Sequence, residues 1–460
     1  MRIKLEIMEE KTVILLMTTP PPAFSPWGVP ARLPPLGLAY VAGALEKAGF
    51  QVQILDNYQL NTSIDFIKQE IERLCPEIVG VTCGSVTYQR CIEIAKAVKE
   101  LRPSCKVVVG GWHPSYLPDT MLQHPEVDYA VMGEGERAIV ELANHIAKGN
   151  NERATAKIPG VACRFKGKIL KNPPKFISDL DDIPYPARHL LPMEIYDRQI
   201  GYLNAKPVDV MNITRGCPYR CNYCETNKLW GPKYRSFSPT RVVEELEYMI
   251  ENFGSKGIYF IDDNFTINKK QTIALCHLMK ERKLDLEWAC DTRVDLLSRD
   301  LLVEMREAGC RTIFFGVQSG SPRILEKLNT CTTTEKTVEG FKLCREADIH
   351  IACSFMLGIP GETIADMETT YKFAKKLDPD WCTFYVYIAC PNSNLYEEVL
   401  QKGLYDRMDN FLAFVKTAQF NYEQVVAIQQ RFQRGFNTSP KTLLRRIRRD
   451  GFSSFLKSLL

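Results

Sequence analysis

Thr214-Arg215-Gly216-Cys217-Pro218-Tyr219-Arg220-Cys221-Asn222-Tyr223-Cys224 follows directly on an apolar, strand-like run, Val208 to Thr214, and carries three cysteines spaced CxxxCxxC. Three thiolates hold three corners of a four-iron cluster and leave the fourth iron open to a small molecule. A cluster that only carries electrons normally takes four protein ligands. The missing fourth ligand therefore points to chemistry at the open iron. A structural zinc site is the competing reading, but no fourth Cys or His lies nearby to close its tetrahedron. The strand–loop–helix context agrees with the cluster.

Outward from this motif, toward the C-terminus, strand-like runs alternate with amphipathic helices. The expected strands are 208–213, 258–262, 287–292, 312–318, 351–358 and 382–389, with helices such as 241–252 and 301–308 between them. Six repeats predict a partial (β/α)6 barrel, open on one side, over residues 206–400, with chemistry at the carboxyl ends of its strands. Asp262-Asp263-Asn264, Asp291-Thr292-Arg293, Gly316-Val317-Gln318-Ser319-Gly320 and Gly358-Ile359-Pro360-Gly361-Glu362 fall at those ends.

Toward the N-terminus, residues 1–150 show a shorter rhythm. Strands are expected at 13–17, 52–56, 78–83, 107–110 and 129–132, with helices at 36–48, 64–74, 88–101 and 136–147. This alternation means a parallel, doubly wound, Rossmann-like α/β sheet that binds ligands at its carboxyl edge. The third strand runs into Gly84-Ser85-Val86-Thr87, the fourth into Gly110-Gly111-Trp112-His113, and the fifth into Gly133-Glu134-Gly135-Glu136. Glycines there admit a large ligand, and hydroxyls bond to a buried polar tail. No GxGxxG follows the first strand, which disfavours a nicotinamide cofactor. A cofactor-free domain of the same layout stays open. Residues 151–205, with Pro173-Pro174 and Asp179–Pro186, read as a linker and strap.

These motifs resemble the radical SAM superfamily from the cysteines to about residue 400, preceded by the cobalamin-binding domain found ahead of many such modules. The resemblance implies a [4Fe-4S] cluster on Cys217, Cys221 and Cys224, with S-adenosylmethionine (SAM) at the open iron. It implies SAM contacts from Tyr223, Asp262, Asp263, Asn264, Arg293, Gln318, Ser319, Gly358 and Pro360. Arg293 either clamps the SAM carboxylate or forms a salt bridge to Asp295 or Asp291. Ser85, Thr87, Gly110, Gly111, His113, Gly133, Glu134 and Gly135 would line the cobalamin slot. The DxHxxG motif that ligates cobalt from below is absent. A bound cobalamin would lack that lower histidine, and His113 is read as belonging to a loop beside the nucleotide tail.

The family's chemistry implies one-electron cleavage of SAM to a 5′-deoxyadenosyl radical and methylation of an unactivated carbon of a small-molecule or lipid-like substrate. The low-potential electron would come from a donor such as flavodoxin or ferredoxin. An oxidative cyclase without methyl transfer and a non-catalytic corrinoid or redox sensor are the alternatives. Tyr385, Tyr387 and Cys390 should face substrate, as pocket walls in preference to hydrogen donors. The methylthiotransferase branch is disfavoured, because neither its extra cysteine cluster nor its basic RNA-binding barrel is seen.

Composition sets limits on the rest. Of 460 residues, 45% are hydrophobic and 25% charged, as in ordinary globular proteins. A net charge of +4 gives no reason to expect a nucleic-acid partner. No apolar run approaches the ~18 residues of a membrane span, and Met1–Glu6 lacks a signal peptide's apolar region. Sixteen cysteines without such a signal imply reduced thiols and a cytoplasmic setting. Cys276, Cys310, Cys344 and Cys353 read as small core residues. The segment 401–460 reads as a helical, basic extension. Leu443–Arg449 and the residues after it either touch a membrane surface peripherally or dock on the barrel.

Overall fold

A computed structural model describes residues 12–21, 33–149 and 155–450. The chain divides into two compact units, one running to Asp197 and the other from Arg198.

The first unit holds seven strands: β1 (Val13–Thr18), β2 (Gln51–Leu55), β3 (Ile78–Thr82), β4 (Lys106–Gly110), β5 (Tyr129–Val131), β6 (Val161–Phe165) and β7 (Lys168–Lys171). They lie in the order β2-β1-β3-β4-β5-β6-β7. The first five are parallel, and the last two add an antiparallel hairpin at the edge. That hairpin lies inside the stretch read from sequence as linker and strap. Helices Leu36–Lys47, Ile64–Leu74 and Tyr88–Leu101 lie in the crossovers between parallel strands, and Gly135–Ala147 leads from β5 to the hairpin. Strands covered on both faces read as continuous apolar runs, and Val13–Thr18 is VILLMT. Ile14, Leu16, Val52, Ile78 and Val108 bury against Leu38, Leu45, Ile139 and Leu142. Each such side chain contributes about 1.5–3 kcal/mol. The strand order reverses direction between β1 and β3, the place where doubly wound sheets take ligands.

The second unit is built on β8 (Val208–Met211), β11 (Gly257–Phe260), β12 (Glu287–Thr292), β13 (Cys310–Gln318), β14 (His350–Leu357) and β15 (Trp381–Val386). All are parallel, each beside the next in this series, and β8 and β15 form the open edges of a partial barrel. A short ribbon, β9 (Thr214–Arg215) with β10 (Arg235–Ser236), interrupts the first crossover. The helix Pro239–Phe253 that completes this crossover shows how sequence sets its ends. Ser238 caps it by accepting from Arg241 N, Pro239 occupies the first turn, and Gly254 ends it at φ +63.

The segment after residue 400 is not wholly helical. β16 (Ile388–Ala389), β17 (Tyr405–Asp409) and β18 (Leu412–Val415) form a three-stranded antiparallel sheet. Helices Tyr422–Asn437 and Pro440–Asp450 follow. The first covers the open edge of β15 with two glutamines. Gln433 accepts from Phe384 N at 3.0 Å and donates to Cys382 O at 2.9 Å, while Gln429 donates to Phe384 O at 2.8 Å. Amide side chains thus replace the missing neighbouring strand. No helix among the described residues is long and apolar enough to cross a membrane.

Candidate active site

The cysteine loop is fixed from several directions. Gly216, at φ +88, precedes Cys217, and a Cβ there would lie 2.2 Å from Lys233 O. Only glycine fits. Asn222 N donates to Leu328 O at 2.9 Å, Asn222 Nδ2 to Lys327 O at 2.7 Å, and Asn329 Nδ2 to Arg220 O at 2.8 Å. Leu395 N donates to Asn222 O at 2.9 Å. The strongest tie comes from Asp262, just past β11. One of its oxygens accepts from Asn212 Nδ2 (3.1 Å), Ile213 N (2.9 Å), Thr214 N (2.6 Å) and Thr214 Oγ1 (2.6 Å).

A cavity of about 320 Å³ opens at the carboxyl ends of β11 to β14. Cys217, Cys221 and Cys224 share its wall with Tyr223, Asp262, Asp263, Asn264, Arg293 and Gln318, so most of the expected SAM contacts are brought together. Ser319, Gly358 and Pro360 are not. Ser319 is fully buried, its hydroxyl 3.1 Å from Thr370 Oγ1 and accepting from Ser321 N. A Cβ on Gly358 would touch Val425 at 3.0 Å, and Pro360 is buried. Gly358 N and Ile359 N both donate to Glu362, at 2.7 and 3.1 Å. This carboxyl holds the loop ahead of the helix Ile364–Leu377 instead of sitting in its first turn. Arg293 carries the salt-bridge alternative. It pairs with Asp295 at 3.0 Å, donates to Thr330 O at 2.7 Å, and lies 3.8 Å from the centre of the Tyr219 ring. Tyr385 is 38% exposed and Tyr387 is buried; neither they nor Cys390 line this cavity.

Tyr219 and Asp291 belong to the cavity but were missed as site residues. Asp291 accepts from Tyr259 Oη at 2.6 Å. The position of Asp291 near the end of β12, the strand beside the one that Asp262 follows, was the available signal. Tyr219 gave none, because loop residues inside a motif have no periodicity.

Burial pushes Asp262 and Asp291 up to about 7, with neighbouring carboxylates adding to the effect, and raises Asp263 as well. Three desolvated carboxyls around one cavity favour a cationic guest such as an ammonium. Burial also pushes the Cys221 thiol up to about 11 and raises Cys217 and Cys224. Iron reverses that by binding thiolates. Among the described residues no three metal-ligating side chains converge as for a single ion. The three thiols line one cavity, and soft thiolates are the donor set that an iron–sulfur cluster takes.

In the first unit, a cavity of about 280 Å³ sits at the β1/β3 reversal, with Thr18, Thr82, Gly84 and Thr87 on its wall. Asp56, also on the wall and 1% exposed, accepts from Thr18 Oγ1 at 2.7 Å and Tyr196 Oη at 2.9 Å; sequence reasoning did not single it out. Of the expected corrinoid contacts, Thr87 reaches this cavity. Ser85 Oγ is 3.0 Å from His113 Nδ1, and His113 Nε2 is 2.9 Å from Thr120 Oγ1. With both nitrogens engaged and no exposure, His113 has no lone pair to give a metal. Burial lowers it to about 4. Gly111, at φ +95, lets the β4 loop pack, since a Cβ would meet Thr82 Oγ1 at 2.8 Å. The carbonyl of Gly110 accepts from Cys83 N. Gly133 N donates to Ser115 Oγ at 2.9 Å, and Glu134 accepts from Ile177 N at 2.6 Å. A Cβ on Gly135 would meet Val41 at 3.3 Å. These residues build the loops around the cavity and do not line it. Thr18, Asp56 and Thr87 offer the polar groups that amide side chains of a corrinoid require.

The sequence profile of the Radical SAM superfamily matches residues 211–374, and that of the B12 binding domain matches 29–143. The chain is 33% identical over 421 residues to the uncharacterized methyltransferase PH0819 of Pyrococcus horikoshii, covering 90% of each. It is 30% identical to the anaerobic magnesium-protoporphyrin IX monomethyl ester cyclase of Rubrivivax gelatinosus, covering 80% of this chain and 67% of the relative. In fold it is similar to the radical SAM methyltransferase TsrM of Kitasatospora setae, solved with cobalamin and a [4Fe-4S] cluster. That match has a TM-score of 0.68 at 22% identity, over 86% of this chain and 76% of that one. With its cysteine cavity, its two-unit fold and these matches, the chain belongs to the radical SAM family whose members carry an N-terminal B12-binding domain.

Proposed function

We propose that the protein is a cobalamin-dependent radical SAM methyltransferase acting on an unactivated carbon of a small-molecule or lipid-like substrate. The observation that carries this reading is the single cavity joining Cys217, Cys221 and Cys224 to the carboxyl groups of Asp262, Asp263 and Asp291, in a chain that also has a B12-binding domain. When bound, the cluster supplies the electron that splits SAM, and the corrinoid supplies the methyl group. The three thiolates hold the cluster. Asp263 and Asn264 receive the ammonium of SAM, and the second oxygen of Asp262, buried without a hydrogen-bond partner among the described residues, faces the same need. Gln318, at φ +69, presents its amide at the cavity wall, and Tyr223 supplies an aromatic face. In the first unit, Thr18, Asp56 and Thr87 would hold the corrinoid's polar edge.

Similarity to the Rubrivivax cyclase favours a second reading, carbon–carbon bond formation without methyl transfer. Anaerobic reconstitution with iron, sulfide and hydroxocobalamin separates the two. Retained corrinoid absorption together with 5′-deoxyadenosine formation from SAM is expected. If SAM is cleaved while no corrinoid is retained, methyl transfer fails and the cyclase reading stands. Cys221→Ala should lose 5′-deoxyadenosine while keeping corrinoid.

A donor of the flavodoxin or ferredoxin type would deliver the low-potential electron, in a reduced, cytoplasmic setting. The helix Pro440–Asp450 docks on the second unit, Lys441 pairing with Asp378 at 2.7 Å and Arg445 with the same carboxylate. Leu444, 57% exposed, is the side chain through which peripheral contact with an anionic bilayer would be made. Co-sedimentation with phosphatidylglycerol vesicles, absent with phosphatidylcholine alone, tests that contact.

A further inference from the structure

We propose that Asn264 sets the reduction potential of the cluster and links it to occupancy of the open iron. It does so by donating an N–H···S hydrogen bond to Cys217 while its carbonyl oxygen receives the ammonium of SAM. This rests on the cluster part of the proposed function and is independent of cobalamin and of methyl transfer.

Asn264 is 6% exposed, and its Nδ2 lies 3.4 Å from Cys217 Sγ. Its Oδ1 is buried without a hydrogen-bond partner among the described residues, and Asn264 lines the same cavity as the three cysteines. A buried amide oxygen left unpaired is destabilising. A guest donor in the cavity would remove that cost.

The side chain is held for the purpose. Asp262, two residues before it, is clamped to Ile213 and Thr214. Phe265, the next residue, donates its N–H to Asp291 O at 2.9 Å. The Phe265 ring packs 4.9 Å from Phe260 and 5.4 Å from Trp288. Thr266 Oγ1 is 2.6 Å from Thr292 Oγ1. The amide is therefore pre-positioned at the sulfur and has little freedom to turn away.

An amide is the side chain this geometry needs, since it has a donor at one end and an acceptor at the other. Cys217 is only 7% exposed, so water screens the contact weakly. Reduction adds one negative charge, shared by the ligand sulfurs. A fixed N–H dipole aimed at Sγ stabilises that state and raises the potential. An ammonium on Oδ1 polarises the amide and strengthens the N–H···S bond. SAM then raises the potential through Asn264, and by linkage the reduced cluster binds SAM more tightly.

The test is a redox titration of the full chain, reconstituted anaerobically with iron and sulfide only, followed by the EPR signal of the reduced cluster with and without SAM. Asn264→Leu removes donor and acceptor at similar size. Asn264→Asp keeps the shape and replaces the donor with an oxygen. The expected result is about a tenfold fall in the reduced-to-oxidised ratio at fixed potential, which is ~59 mV for one electron. In Asn264→Leu the SAM-induced shift also disappears. Midpoints equal to the unmodified protein's, or a full SAM-induced shift in Asn264→Leu, overturn the proposal. If Asn264→Leu assembles no cluster, Asn264→Asp carries the measurement. If neither loads, Asn264 is needed to build the cluster and its tuning role is refuted. Should the unmodified chain take up no iron, the cluster reading itself falls, and iron analysis separates that outcome from the others.

Discussion

Asp262 and Thr214 are joined twice, the same carboxylate oxygen accepting from the backbone N–H and from the hydroxyl of Thr214, both at 2.6 Å. This pair ties the end of one barrel strand to the residue two places before Gly216 and three before Cys217. The rigidity of the cysteine loop therefore originates outside the loop, in a residue that is distant in sequence and 1% exposed.

Asp262→Ala is expected to strip the acceptor from Ile213 N, Thr214 N, Thr214 Oγ1 and Asn212 Nδ2. Each buried donor left without a partner costs about 1–3 kcal/mol. Urea unfolding should show a loss of about 3 kcal/mol or more, together with reduced iron uptake. Asp262→Asn, which keeps one acceptor oxygen, should lose about 1 kcal/mol. Equal stability of the alanine and asparagine variants would refute the clamp.

Gly216→Ala places a Cβ 2.2 Å from Lys233 O and 3.0 Å from Gly231 O at φ +88. Backbone atoms cannot rotate away, so the loop must shift. Iron content after reconstitution should fall several-fold. By contrast Gly37, in the first turn of its helix with nothing within 4 Å of an added Cβ, should gain about 0.5–1 kcal/mol as Gly37→Ala. Normal iron loading in Gly216→Ala would show that the close approach does not matter.

His113, lowered by burial to about 4, contributes stability that is full above its unfolded value near 6.5 and is lost as pH falls toward 4. Between pH 7 and pH 5 the loss should be about 2 kcal/mol. His113→Asn should remove most of that slope in urea titrations at the two pH values. Because both ring nitrogens are occupied, the same variant should leave the EPR spectrum of bound cob(II)alamin unchanged. A change in nitrogen hyperfine structure would make His113 a cobalt ligand.

Glu362 is fully buried and pushed up to about 8, chiefly by burial, against the opposing bonds from Ile359 and Gly358. A carboxyl raised in the folded state contributes stability that is full below its unfolded value near 4.3 and is lost as pH rises through about 8. Thermal unfolding of the unmodified protein should weaken between pH 5 and pH 9 more steeply than that of Glu362→Gln. Parallel curves would show that the carboxyl titrates normally.

The strand–helix rhythm was legible because buried parallel strands must be apolar throughout, as in Ile78–Thr82, while their crossover helices need one polar face. The three cysteines that share one cavity wall were legible because metal ligation demands a residue type at a fixed spacing. The sequence by itself therefore determined the two α/β units, the three cysteines and the strand ends that carry Asp262, Asp263, Asn264 and Gln318. It did not determine which polar residues at those ends look into the cavity. Ser319 turned inward to Thr370 and His113 was enclosed by Ser85 and Thr120, whereas Arg293 reaches the cavity wall already paired with Asp295 and stacked on Tyr219. Nor did it reveal the glutamines that cover β15 or the hairpin of β6 and β7. Local periodicity records whether a side chain is buried. The partner it meets there is often chosen by residues tens of positions away, as Thr370 is for Ser319 and Tyr219 for Arg293, and only the folded chain brings those together.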